Sequence, residues 1–102
     1  MNLEQVHQFA PELMKIAQKY GIAKIYIFGS VARRESTTKS DIDFLVELQA
    51  GADLFGVAGF GYETEKLLGV PVDIVPMSLL SKIKDRNFVI NIQREMKIIQ
   101  TE

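Results

Sequence analysis

Asp41-Ile42-Asp43-Phe44-Leu45-Val46-Glu47 is the stretch on which the reading of this chain turns. Ile42, Phe44 and Val46 alternate with Asp41, Asp43 and Leu45, and a period of two marks a β-strand whose successive side chains point to opposite faces. The two carboxylates then share one face while Ile42 turns into the core on the other. Upstream, Lys24-Ile25-Tyr26-Ile27-Phe28 is a β-branched and aromatic run ending on a glycine, which reads as a second strand. Gly29-Ser30 turns the chain, Val31 to Glu35 has room for a short helix, and Ser36-Thr37-Thr38-Lys39-Ser40 is a polar loop. Downstream, Val72 to Val75 forms a short strand after Pro71. If it lies beside the first, Asp73 comes level with the carboxylate pair.

Helices fill the remainder. Asn2 caps the first, with Gln5 placed to complete a capping box. Leu3, Val6, Ala10, Leu13, Ala17 and Tyr20 recur at helical spacing until Gly21, a left-handed stop. Pro11 interrupts that run, so a kink or short first turn is expected, then a firm helix from Pro11 to Tyr20. A helix over Ala52 to Leu68 closes at Gly69, weakened by Gly56, Gly59 and Gly61. Ser78 caps a further helix through Leu80 and Ile83, Phe88 to Glu95 is helical, and Lys97-Ile98-Ile99-Gln100 is either a helix end or an edge strand. Helices and strands in this order predict a mixed α/β (α+β) domain, a small mixed sheet flanked by helices, with residues 1–102 forming a single domain.

Composition narrows the function classes. The chain has 102 residues, 47% hydrophobic and 25% charged, as is ordinary for globular proteins. Its net charge of −1, from 12 basic and 13 acidic residues, lacks the basic excess of a protein that grips nucleic acid through its phosphates. Without cysteine there is neither a disulfide framework nor a thiolate metal site. His7 stands alone and cannot build a histidine cluster. The N-terminal residues lack the basic start and apolar run of a signal peptide, and no segment reaches the roughly 18 apolar residues of a membrane span. The expectation is a cytoplasmic protein with no membrane partner. Lys82, Lys84 and Arg86 read as a solvated helix face, and Phe55, Phe60 and Tyr62 as core or subunit contacts.

The chemistry rests on the carboxylates. At about 5 Å and an effective dielectric near 20, each like-charge pair costs on the order of 3 kcal/mol, which calls for protonation or a divalent cation. All-oxygen ligands select hard ions, so Mg²⁺ or Mn²⁺ is the expected species. Two such ions, roughly 3.5–4 Å apart, would clamp an in-line phosphoryl displacement. Gly29 permits close backbone approach, the amides after it point toward whatever sits at the turn, and Ser30 adds a hydroxyl. A triphosphate would be held there, with Arg33 adding positive charge.

Gly29-Ser30-Val31-Ala32-Arg33 followed by Ser40-Asp41-Ile42-Asp43-Phe44-Leu45-Val46 resembles the signature of the DNA polymerase beta nucleotidyltransferase superfamily. Within it the chain is similar, over nearly its whole length, to the minimal nucleotidyltransferases that partner HEPN-domain proteins. The resemblance implies a polymerase beta-like fold, nucleotide and metal roles for Gly29, Ser30, Asp41, Asp43 and Asp73, and AMP transfer from ATP to a tyrosine of a HEPN ribonuclease toxin. Such a protein is an antitoxin of the type VII-like kind. One departure stands out: the family has glycine after the Ala-Arg pair, and here Arg34 occupies that place, where it is expected to crowd the phosphate loop or change its turn. Two other readings stay open: a non-catalytic antitoxin or nucleotide-binding subunit acting by occlusion, and nucleotidyl transfer to a small molecule such as an aminoglycoside with a helical partner subunit completing the site. Homo-oligomerisation is also left open.

Overall fold

The computed structural model describes residues 1–37 and 41–100. In chain order these form helices α1 (Leu3–Gln8) and α2 (Ala10–Lys19), strand β1 (Ile22–Phe28), the short helix α3 (Gly29–Ala32), β2 (Ile42–Leu48), α4 (Leu54–Leu68), β3 (Val72–Pro76), a 3-10 segment (Met77–Lys82), α5 (Arg86–Glu95) and β4 (Lys97–Ile99). The strands make one four-stranded sheet in the order β3-β2-β1-β4. β2 runs parallel to β3, and β1 is antiparallel to both β2 and β4. This is the mixed sheet flanked by helices that the sequence predicts. Ser40 and the end of the polar loop lie outside the described residues.

The N-terminal helices form as their caps dictate. Asn2 and Gln5 exchange reciprocal 2.8 Å hydrogen bonds, satisfying two amides that the first turn leaves without partners. The chain breaks at Phe9, and Pro11 falls in the first turn of α2, where its missing N–H costs nothing. Leu3, Val6, Ala10, Leu13 and Ala17 are buried against the sheet.

The alternation along the strands separates two cores. Ile25, Ile27, Ile42, Phe44, Val46 and Ile99 pack with α1, α2 and α4 on one face. Phe28 and Leu45 pack with Leu80, Val89 and Ile92 on the other, a smaller cluster under the 3-10 segment and α5. The glycines of α4 serve close approach: a Cβ on Gly56 would strike the Tyr20 carbonyl oxygen, and one on Gly59 would strike the Tyr20 ring. What weakens the isolated helix lets it lie against the end of α2.

Two expectations are revised, and one left open is decided. β2 begins at Ile42, one residue after Asp41. Ser78 lies inside a 3-10 segment that starts at Met77 and has no side-chain cap, where an α-helix capped by Ser78 is expected from the sequence. The tail resolves as the edge strand β4. Phe60 is buried, whereas Phe55 and Tyr62 are exposed. No helix among the described residues is long and apolar enough to cross a membrane.

Candidate active site

Strand register builds the site. Phe28 of β1 pairs with Asp43 of β2, and Asp43 pairs in turn with Asp73 of β3. The strand end that carries Gly29 therefore lies in the same row as two carboxylates from neighbouring strands. Parallel partners in register present their side chains to the same face, here the face of the smaller core.

Gly29 adopts φ 73°, a left-handed conformation that glycine takes without penalty. A Cβ there would run into Asp43 Oδ2. Glycine is thus required twice, for the turn and for the carboxylate lying against its backbone. Asp43 is half-buried, and its pKa is pushed up to about 6, first by burial and then by the charges of Asp73 and Asp41. Asp73, its partner in the strand register, is itself exposed.

Asp41 stands apart from this pair. It precedes the first residue of β2 and is exposed, although its charge is felt at Asp43. Among the described residues no three His, Cys, Asp or Glu side chains are gathered into a ready-made metal-holding group. Of the three carboxylates expected to converge, Asp43 and Asp73 share a row of the sheet, and Asp41 lies just before β2. The donor set nevertheless suits a hard divalent cation: every oxygen is a carboxylate, and a cation would relieve the burial and the neighbouring negative charges that raise the pKa of Asp43.

Ser30, partly exposed, follows Gly29 in α3, and Arg33 follows that helix. Arg33 is held by two carboxylates. Its Nε donates to Glu35 at 3.0 Å, and its Nη1 donates to both oxygens of Glu95 at 3.1 Å. Glu95 Oε1 also accepts from the Gly29 amide at 3.0 Å. A cavity of about 450 Å³ opens here, lined among others by Phe28, Gly29, Arg33, Asp43, Asn91 and Glu95. That is within the usual size of a small-ligand site. A larger hollow of about 660 Å³, bordered by Leu48, Phe55, Leu79 and Lys82, is mostly apolar and is not lined by any of the three aspartates.

Arg34 does not crowd the loop. Its backbone takes φ 62°, the left-handed conformation that favours glycine, and its guanidinium pairs with Glu4 of α1. The turn keeps a glycine-like shape, and the side chain is directed elsewhere.

The sequence reading missed the wall contributed by α5. Asn91 and Glu95 stand four apart, one helical turn, on a helix that carries no motif. The usable signal was Glu95 itself, a carboxylate three residues after Ile92 and so on the inward side of an amphipathic helix.

Residues 11–99 match the family model described as a nucleotidyltransferase domain. A candidate protein adenylyltransferase of Methanocaldococcus jannaschii is 37% identical over 87 residues, covering 84% of this chain and 90% of that protein. A solved structure described as a candidate minimal nucleotidyltransferase superposes with a TM-score of 0.76 at 32% identity, covering 95% of both chains. A chain from a complex described as a tri-AMPylated Shewanella oneidensis HEPN toxin with an MNT antitoxin aligns with a TM-score of 0.62 over 98% of this chain and 74% of its own length. At 17% identity, that last likeness is one of fold.

Proposed function

This chain belongs to the nucleotidyltransferase domain family and within it is a minimal nucleotidyltransferase, and on that premise we propose that it transfers AMP from ATP to a hydroxyl on a partner protein, a tyrosine of a HEPN-domain toxin, and so acts as an antitoxin. What supports the reading is the row across the sheet in which Asp43 lies between Asp73 and the strand end that carries Gly29. The protein adenylyltransferase name of a relative at 37% identity, and the toxin–antitoxin complex that shares the fold, argue for the acceptor class.

In this reaction the acceptor oxygen attacks the α-phosphorus of ATP, the bond to the β-phosphate oxygen breaks, and pyrophosphate leaves as the hydroxyl proton is lost. Asp41, Asp43 and Asp73 would hold two Mg²⁺ ions, with Mn²⁺ as the near substitute, and these would neutralise the triphosphate and ease deprotonation of the acceptor. Gly29 and Ser30 orient the β- and γ-phosphates by backbone amide and hydroxyl, and Arg33 offsets their charge. Asp43 and Asp73 fix the reacting end, so acceleration comes from position and charge rather than from a covalent intermediate. ATP as donor and a cytoplasmic setting go together in this reading.

The test is mass spectrometry of a HEPN partner co-expressed with the chain. One AMP is expected on a partner tyrosine with the wild type and none with Asp43→Asn, the variant remaining folded. Undiminished transfer by Asp43→Asn overturns the assignment. The same experiment separates this reading from neutralisation by occlusion. A partner that is neutralised yet never gains mass would establish that alternative.

A further inference from the structure

The position that the proposed function assigns to the terminal phosphates is filled by the protein's own carboxylate. Glu95 Oε1 accepts from the Gly29 amide at 3.0 Å and from Arg33 Nη1 at 3.1 Å, and Oε2 accepts from the same guanidinium nitrogen at 3.1 Å. These are the amide and the cation to which a phosphate oxygen would bind, and charge-assisted bonds of this kind are strong. The Glu95 side chain is 18% exposed and its Arg33 partner 44%, so the carboxylate is largely covered while the guanidinium still meets solvent.

The edge strand brings the end of α5 close to the phosphate turn. β4 pairs with β1 as Ile25 with Ile99, Tyr26 with Ile98 and Ile27 with Lys97. That pairing begins at Lys97, two residues after Glu95, and ends on Ile27, two residues before Gly29. α5 ends at that point, and Glu95 is its last residue. The edge strand therefore delivers a carboxylate to the phosphate turn whenever the sheet is complete.

A dianionic phosphate and a carboxylate cannot share one amide and one guanidinium. We propose that Glu95 is an internal competitor for the seat of the nucleotide's β- and γ-phosphates, which must swing away before a triphosphate binds, and that it thereby sets the protein's affinity for ATP. The inference rests on the nucleotide reading of the site given above. Binding is weakened by the fraction of molecules in which the seat is free. A nucleoside monophosphate places no group in that seat and does not compete with Glu95.

The experiment is calorimetric titration of the wild type, Glu95→Gln and Glu95→Ala with a non-hydrolysable ATP analogue and with AMP, both in Mg²⁺. Glu95→Gln keeps the shape and removes the charge. Both variants are expected to lower the Kd of the ATP analogue about tenfold, the gain for a seat free in roughly one molecule in ten, with AMP changed by less than about twofold. Should Glu95 merely hold Arg33 in place, the ATP analogue binds equally or more weakly in the variants, and the inference is overturned. An equal gain for AMP overturns it too, since the competition would then not be for the terminal phosphates. If Glu95→Ala melts early, the near-isosteric Glu95→Gln decides alone. An analogue that binds neither wild type nor variant overturns the proposed function and this inference together, whereas binding by the wild type without gain in Glu95→Gln overturns the inference only.

Discussion

The two faces of the sheet solve opposite problems. On the face covered by α1, α2 and α4, the buried strand residues are apolar, from Ile25 and Ile27 through Ile42, Phe44 and Val46 to Ile99. Phe44 and Phe60 meet edge to face there, with ring centroids 6.4 Å apart, a favourable arrangement for aromatic quadrupoles. On the other face the same strands carry Asp43 and Asp73, and the apolar cluster shrinks to residues around Phe28, Leu45 and Ile92. One face supplies the stability that the other spends on holding like charges together. Electrostatic cost gathered at one place, on a scaffold that tolerates it, is the pattern expected of a working site.

The comparison is broken most decisively at Asp43. Asp43→Asn is expected to cut AMP transfer at least ten-thousandfold, about 5.5 kcal/mol in activation free energy, while making the fold more stable at neutral pH. The folded-state pKa of about 6 lies above the ordinary carboxylate value of 3.8. The folded protein therefore binds this proton more tightly than the unfolded chain, and the associated stability is complete below pH ~4 and lost as pH rises through ~6. Allowing for solvent screening of a half-buried group, the loss is on the order of 1–2 kcal/mol. Urea denaturation of wild type and variant from pH 4 to 8 should show the variant's advantage opening across that window. An advantage that is flat with pH would mean that the carboxylate crowding costs the fold nothing.

Phe44→Ala strikes the opposite face. Removing a fully buried ring that packs on Phe60 is expected to cost about 3–5 kcal/mol in denaturant titrations. Gly29→Ala probes the seam between the faces. It forces a Cβ onto the Asp43 carboxylate and into a left-handed backbone, so a loss of roughly 1–3 kcal/mol in stability is expected, along with loss of transfer. Unchanged melting would show that the carboxylate can move aside freely. The smallest effect belongs to Arg34→Gly. Relief of a left-handed non-glycine residue is offset by the extra freedom of glycine in the unfolded chain and by loss of the exposed pair with Glu4. A net change within about 1 kcal/mol is expected, with transfer unaffected.

Much of this was readable before any coordinates. The alternation of residues 41–47 places Asp43 and Ile42 on opposite faces, because side-chain direction in a strand follows from backbone geometry alone. The Asn2–Gln5 box and the left-handed Gly21 and Gly69 were equally legible, since caps and helix stops are decided within a few residues. What could not be read depends on partners distant in the chain. Lys97-Ile98-Ile99 is too short to distinguish helix end from strand by pattern, and only pairing with β1 makes it an edge strand. Met77–Lys82 tightens into a 3-10 segment, an outcome that no capping signal distinguishes from an α-helix. Local chemistry thus determined which elements exist and which residues share a face. Register between strands, a product of whole-sheet packing, decided that Asp73 stands beside Asp43 and that Glu95 reaches Gly29, because a sequence encodes the period of each strand but not its offset against the next.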